Sequence, residues 1–318
     1  MKKNVLLTAV LALGALLLAP GAKALDYPTG PVSIIVAYGA GGGTDLIARA
    51  LADCVKESFP YGIAVENRTG GGGAVGMSYG QNAKPDGSII TMTVVELVTI
   101  PHAGAGGDIY YDKFEPLILL NSGYAAITVQ KSAPWNTLKE FIEASKKEPM
   151  QMGNSGIGSI WHLAGAALEQ AADTEFVHIP FDGAAPAITS LLGGHIQAVS
   201  VSYAEVASQV QAGELKVLAV LAPARIPGIP EVPTAKEVGY DVQVGTWRGL
   251  GVPKNTPKEI VAWLEKTFTD GVKSDRFVKF MKDTQNEIEL LDSKAFGEKM
   301  ARDNEMFKKL MTDLGLAQ

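Results

Sequence analysis

The residues best placed to do chemistry lie in three glycine-rich turns, each between an apolar run and the start of a helical pattern. The first is Tyr38-Gly39-Ala40-Gly41-Gly42-Gly43-Thr44-Asp45, the second Asn154-Ser155-Gly156-Ile157-Gly158-Ser159, and the third Pro180-Phe181-Asp182-Gly183. The first N–H groups of a helix have no partner within it, and the helix dipole adds partial positive charge there. Glycine lets a ligand approach the backbone and lets N–H groups point into a concavity. Several such turns meeting across a cleft would hold an anion without many charged side chains, which suits a carboxylate. Any one of them alone is also an ordinary tight turn; the threefold repetition favours a site.

Sharper chemistries fail on spacing. Gly39 to Thr44 reads G-x-G-x-x-T and lacks the third glycine of a dinucleotide fingerprint, and no phosphate-binding P-loop is present. Ile157 stands where a nucleophile elbow around Ser155 needs glycine. A Ser/His/Asp set can still be drawn from Ser155, His162 and Asp182, so an exported hydrolase stays open as the alternative. With one cysteine, four histidines and no H-E-x-x-H, neither a disulfide framework nor a zinc site is expected, and the sequence calls for no cofactor and no metal.

The elements that must position these turns alternate strand and helix. Val32–Ala37 reads as a strand buried on both faces. Ile47, Ala48, Leu51, Ala52 and Val55 then give one apolar helix face. Ile63–Glu66, a helix from about Ala74 to Ala83, and Ser88–Val95 repeat the scheme. Further on, Ile127–Gln130, Met150–Gly153, Glu175–Ile179 and Lys216–Leu221 read as strands. Thr137–Lys147, the segment carrying Leu163 to Leu168, and Ala184–Leu192 read as helices. Long amphipathic helices follow over Pro257–Ser274 and Ser293–Leu314, with little strand between. This alternation predicts an α/β protein with largely parallel sheets. Breaks in it near 121–128 and 241–248 suggest two crossings between lobes. The expected division is lobe 1 over 25–125 plus 246–318 and lobe 2 over 126–245, with a cleft between.

Export is written at the start. Lys2 and Lys3, an apolar run from Val5 to Ala19, and Ala22-Lys23-Ala24 make a signal peptide over residues 1–24, cleaved after Ala24. Its removal takes three lysines and no acid, so the net charge moves from −6 to −9. An acidic, exported chain of this kind is a poor nucleic-acid binder. A monomer in the periplasm is expected.

Taken together, the motifs resemble a known family. Tyr27-Pro28, Gly41-Gly42-x-Thr44-Asp45, Val65-Glu66-Asn67-Arg68-x-Gly70-x-Gly72-Gly73 and Pro85-Asp86-Gly87 come first. Gly156-x-Gly158-Ser159-x-x-His162-Leu163-Ala164 and Pro180-Phe181-x-Gly183-Ala184-Ala185-Pro186-Ala187 follow, then Leu191 to Gly194 and Pro253-x-x-Thr256-Pro257. This ordered set is similar to the Bug-type solute-binding receptors of tripartite tricarboxylate transporters. The resemblance implies a two-lobed periplasmic binding protein of the type II, Venus-flytrap kind with two crossing strands and no catalysis. It would capture a small organic carboxylate, di- or tricarboxylate favoured, and deliver it to a membrane permease, a sensor kinase being the other partner considered. By motif match the ligand loops are 38–45, 155–159 and 181–183.

The candidate ligand residues are therefore Tyr38, Gly41, Gly42, Gly43, Thr44, Asp45, Ser155, Gly156, Gly158, Ser159, His162, Phe181, Asp182 and Gly183, together with Glu96, Ser202 and Arg248. Arg248, at the second crossing, is a natural bidentate partner for a second carboxylate, or else an inter-lobe tie. Glu96 and Asp182 would repel a polyanion at short range, so they either point away or meet an amino or hydroxyl group.

Overall fold

The computed structural model describes residues 25–103 and 108–317, so the expected signal segment lies outside the described residues. The β-branched run after Pro31 forms β1 (Val32–Val36), with Ile34, Ile35 and Val36 wholly buried. The first glycine turn leads into α1 (Gly43–Val55), whose buried residues include the stripe Ile47, Ala48, Leu51, Ala52 and Val55. β2 (Ile63–Asn67), α2 (Ala74–Gln81) and β3 (Ile89–Val94) repeat the pattern. β1 pairs in parallel with both β2 and β3.

The next strand, β4 (Phe114–Gln130), runs unbroken for 17 residues. After it come α3 (Leu138–Ser145), β5 (Met150–Asn154), α4 (Ile160–Ala172), β6 (Phe176–Pro180) and α5 (Ala184–Leu192). β7 (Ala198–Ser202), α6 (Tyr203–Gln211) and β8 (Leu215–Val220) complete this half. β9 (Gly245–Pro253), α7 (Lys258–Lys273), α8 (Asp275–Asp283), β10 (Glu287–Leu291) and α9 (Ser293–Asp313) close the chain.

Two sheets share β4. Residues 114–124 of that strand pair with β9 in a sheet ordered β2-β1-β3-β9-β4, and β10 also pairs with β4 there. From Ala125 onward β4 pairs with β7 and β8, and β5 and β6 extend this second sheet in parallel from β7. The sequence suggested largely parallel sheets; the structure is mixed. The reason is local: β9 runs antiparallel to both β3 and β4, and β7, β8 and β10 run antiparallel to β4.

Backbone hydrogen bonds knit the junction of the sheets. The Ala125 N–H donates to the Val244 carbonyl at 3.0 Å, and the Val244 N–H donates to Leu221 at 3.0 Å. The Leu221 N–H in turn donates to Ala125 at 2.7 Å. Glycine is required where the strands approach: a Cβ on Gly245 would lie 2.5 Å from the Gly123 carbonyl oxygen. Apolar burial supplies the rest. Leu51, Leu264, Phe268, Phe277 and Met281 join α1, α7 and α8 beside the first sheet. α9 contributes Phe296, Phe307 and Met311 to the larger core that contains the second sheet.

Candidate functional site

The three glycine turns all follow the carboxyl ends of parallel strands, β1, β5 and β6, which is where open α/β sheets place ligands. Each turn also opens a helix. α1 begins behind Gly42 and α5 behind Gly183, and neither start has a side-chain cap. Their first N–H groups are thus left for an outside acceptor. α4 begins behind Ser159, whose Oγ accepts the His162 N–H at 3.2 Å. That bond engages one of the first N–H groups of α4, and the Ile160 N–H meets the Glu96 carboxylate. The second and third loops lie against each other, since a Cβ on Gly156 would come 3.6 Å from the Phe181 carbonyl oxygen.

Asp45 organises the first loop from beneath. Its carboxylate is buried and accepts from the Gly41 N–H at 2.8 Å, Arg49 Nε at 2.9 Å and Asn67 Nδ2 at 2.8 Å. Burial pushes this carboxyl upward, but those three donors outweigh it and hold it below the usual range. Tyr38 closes the loop from the other side, its hydroxyl donating to Gly72 at 3.1 Å. Burial, with Glu96 nearby, holds that phenol well above its ordinary range. Gly41, Gly42 and Gly43 stay exposed.

Arg248 of β9 sits behind this loop, 8% exposed. Its Nε donates to Thr44 Oγ1 at 3.0 Å and its Nη1 to Asn121 Oδ1 at 2.7 Å. Its Nη2 reaches toward the loop, 3.6 Å from where a Cβ on Gly43 would stand. Glu96 lies in the short turn Val95–Val98 after β3 and is partly buried. Burial raises its carboxyl, opposed by its own backbone N–H, the Tyr38 hydroxyl, Arg248 and the Ile160 N–H. Glu96 of the first sheet therefore faces the start of α4 beside the second. Neighbouring Trp247 is 2% exposed and packs edge-on against Phe296, a core position rather than a pocket wall.

The remaining candidates divide. Asn154 Oδ1 fixes the second loop through the Gly156 N–H at 3.0 Å, while its buried Nδ2 has no partner among the described residues. Ser155, Gly156, Gly158 and Ser159 are partly accessible in that loop, and Phe181 and Gly183 in the third. Asp182 points to solvent. Ser202 caps α6, its Oγ donating to Glu205 at 2.8 Å. His162 accepts the Gly158 N–H on Nδ1 at 3.2 Å and packs edge-on against His178. Its ring lines a groove with Glu169, His178 and Asp313. Asn121 and Asn154 were not among the sequence candidates, although both stand at the ends of apolar runs where the chain changes character.

His162 carries a testable pH dependence. Burial, then the adjacent His178, pushes it down to about 4, against the opposing pull of Glu169. The unfolded imidazole titrates near 6.5. Between these values the unfolded chain binds more protons, so the contribution is complete above about pH 6.5 and is lost as pH falls to about 4. Urea unfolding of the protein and of His162→Gln across this window should show a steeper acid loss in the unchanged protein. Parallel curves would refute the assignment.

Comparison with known proteins bears on this geometry. Residues 47–316 match the model of the tripartite tricarboxylate transporter family receptor. The chain belongs to this family. A Cupriavidus necator protein described as a UPF0065 protein in the gbd 5′ region is 28% identical over 315 residues, covering 98% of this chain and 95% of that one. A TctC solute-binding protein from Polaromonas, solved without ligand, is 42% identical with a TM-score of 0.75, covering 90% of this chain and 99% of that one. The R. palustris protein Rpa4515, solved with adipate, is 25% identical with a TM-score of 0.84, covering 92% and 99%. The two-lobed periplasmic binding fold expected from the sequence is the fold observed. Family and fold are those of solute-binding receptors rather than enzymes. The Ser155 and His162 hydrolase alternative has no support here, since His162 Nδ1 is already engaged by the Gly158 N–H.

Proposed function

We propose that the chain captures a small organic carboxylate, a di- or tricarboxylate first among them, and hands it to the membrane permease of a tripartite tricarboxylate transporter. The observation that carries this reading is the buried Arg248 guanidinium behind a loop whose helix start has no cap. One carboxylate meets the N–H groups opening α1, α4 and α5, and a second meets Nη2 of Arg248. The adipate bound to Rpa4515 supports a ligand with two acidic ends. The lobes divide as 25–125 plus 246–318 and 126–245, with β4 and the segment entering β9 as the hinge. A thermal-shift panel of mono-, di- and tricarboxylates tests the reading. A ligand at about a hundred times its Kd adds about 2.7 kcal/mol of stability. No response to any member would overturn it.

The loop glycines are expected to be sensitive. Gly42 has an ordinary φ of −74°, and a Cβ there would first meet the Gly39 carbonyl oxygen at 3.4 Å. Gly42→Val should therefore fold and yet weaken binding about tenfold or more, because a side chain then stands where the ligand must approach the backbone. Gly158 has a φ of +77°, so Gly158→Val adds about 1–3 kcal/mol of strain to the same effect. Affinity within twofold in both variants would make the loops structural only.

The receptor acts in the periplasm. Among the described residues no helix is long and apolar enough to cross a membrane. Intact mass of the exported protein should correspond to a chain beginning at Leu25; retention of Met1 on membranes would refute cleavage there.

A further inference from the structure

Several helices and turns of this chain begin with one device, and α4 departs from it. In a capping box a Ser or Thr opens the helix, and the residue three positions on reaches back to a free N–H. At α3 Glu140 accepts the Thr137 N–H at 3.2 Å, and at α6 Glu205 accepts the Ser202 N–H at 2.9 Å. Before the short turn Lys236–Val238, Glu237 accepts the Thr234 N–H at 2.7 Å. None of these starts follows a glycine-rich turn. At α4, which does, the pattern is Ser159-x-x-His162, and the acceptor is an imidazole. Its Nδ1 takes the Gly158 N–H at 3.2 Å, while the His162 N–H goes to Ser159 Oγ at 3.2 Å. Nδ1 accepts only while it carries no proton. The ring is held in that state: it is 8% exposed, lies edge-on to His178 at 4.7 Å between centroids, and is pushed down to about 4 by burial and then by His178. Glu169, which would draw a proton onto it, is engaged by His178 Nε2 at 2.8 Å and by the Phe176 N–H.

We infer, resting on the receptor reading above, that His162 is a positioning residue of the binding site: it pins the second loop as an uncharged cap, so that an anion can approach the loop backbone. The loop's Gly156 N–H goes to Asn154 Oδ1 at 3.0 Å, its Gly158 N–H to His162, and its Ser159 N–H to the Gly156 carbonyl at 3.1 Å. Among the described residues this leaves the N–H groups of Ser155 and Ile157 without a partner. A glutamate at 162 could hold the same loop, as it does at the other boxes, but its charge would stand beside the groups offered to a carboxylate. Like charges brought together in this way are strongly unfavourable. The start of α4 already carries Glu96, whose charge Arg248 offsets. A second carboxylate there would add to the repulsion of an anion.

His162→Gln and His162→Glu introduce nearly the same shape without and with a charge. Calorimetry with adipate, succinate and citrate at pH 8, beside melting curves of the ligand-free variants, tests the inference. For the acid that the unchanged protein binds most tightly, the Gln variant should bind within about threefold, and the Glu variant about tenfold more weakly or worse. A purely structural cap predicts the opposite split, with melting temperatures that differ and affinities that do not. Equal affinities of the two folded variants would therefore overturn the inference and leave the receptor reading standing. Where His162→Glu loses its fold beside Glu96, Ser159→Asn and Ser159→Asp decide, since both residues cap a helix well and differ in charge. The same gap of about tenfold is expected between them, and equal affinities would again overturn the inference. No binding of any of these acids by the unchanged protein, with no response in the wider carboxylate panel, would overturn both readings.

Discussion

Arg248→Met should weaken a dicarboxylate by about ten- to a hundredfold while leaving a monocarboxylate of similar size within about threefold. The figure follows from one charge-assisted bond contributing roughly 1.5–3 kcal/mol. Methionine keeps much of the stem volume and removes the guanidinium. The change also strips a donor from Thr44 and Asn121, both buried beside it. Asn121 retains two contacts through its Nδ2, to the carbonyls of Ser122 at 3.1 Å and Glu287 at 2.7 Å, so β4 and β10 stay joined. The thermal midpoint of the ligand-free variant, measured alongside affinity, separates the two effects. Equal losses for mono- and dicarboxylates would show that Arg248 holds α1, β4 and β9 together and does not read the second acid.

What could be read from the sequence was what is local. Val32 to Val36 is an unbroken apolar run and Ile47 to Val55 repeats at helical spacing, so β1, its turn and α1 are legible within a few residues. β4 is not, because Pro116, Asn121 and Gly123 interrupt its pattern while the register shifts at two points to accommodate them. β10 reads EIELL, an acidic alternation that looks like surface until β4 is there to pair with it. The site divides the same way. The loops follow from glycine spacing, but the partner of Arg248 lies 127 residues away on another strand. No spacing rule couples positions that only the sheet brings together. Asp45 looked like a ligand residue from its place in the motif; burial and its three donors place it beneath the loop instead.

The largest loss of stability should come from Trp247→Ala. The indole is 2% exposed, and its ring meets Phe296 of α9 edge-on at 5.2 Å between centroids. Truncating a buried aromatic to alanine costs about 3–5 kcal/mol, partly in lost transfer energy and partly in the cavity left behind. In a chain of this size that lowers the melting temperature by on the order of 10 °C. Trp247→Phe should cost far less, because it retains most of the ring and removes an indole N–H that is buried without a partner among the described residues. The order Ala well below Phe, with Phe near the unchanged protein, is the expected result in thermal or urea unfolding. Similar losses for both would mean that the indole N–H is satisfied after all. Function should follow stability at a distance: Trp247 lies next to Arg248 on β9, and α9 holds that strand from behind. Affinity of the folded Phe variant should therefore stay within about threefold, since its Arg248 still reaches Thr44 and Asn121.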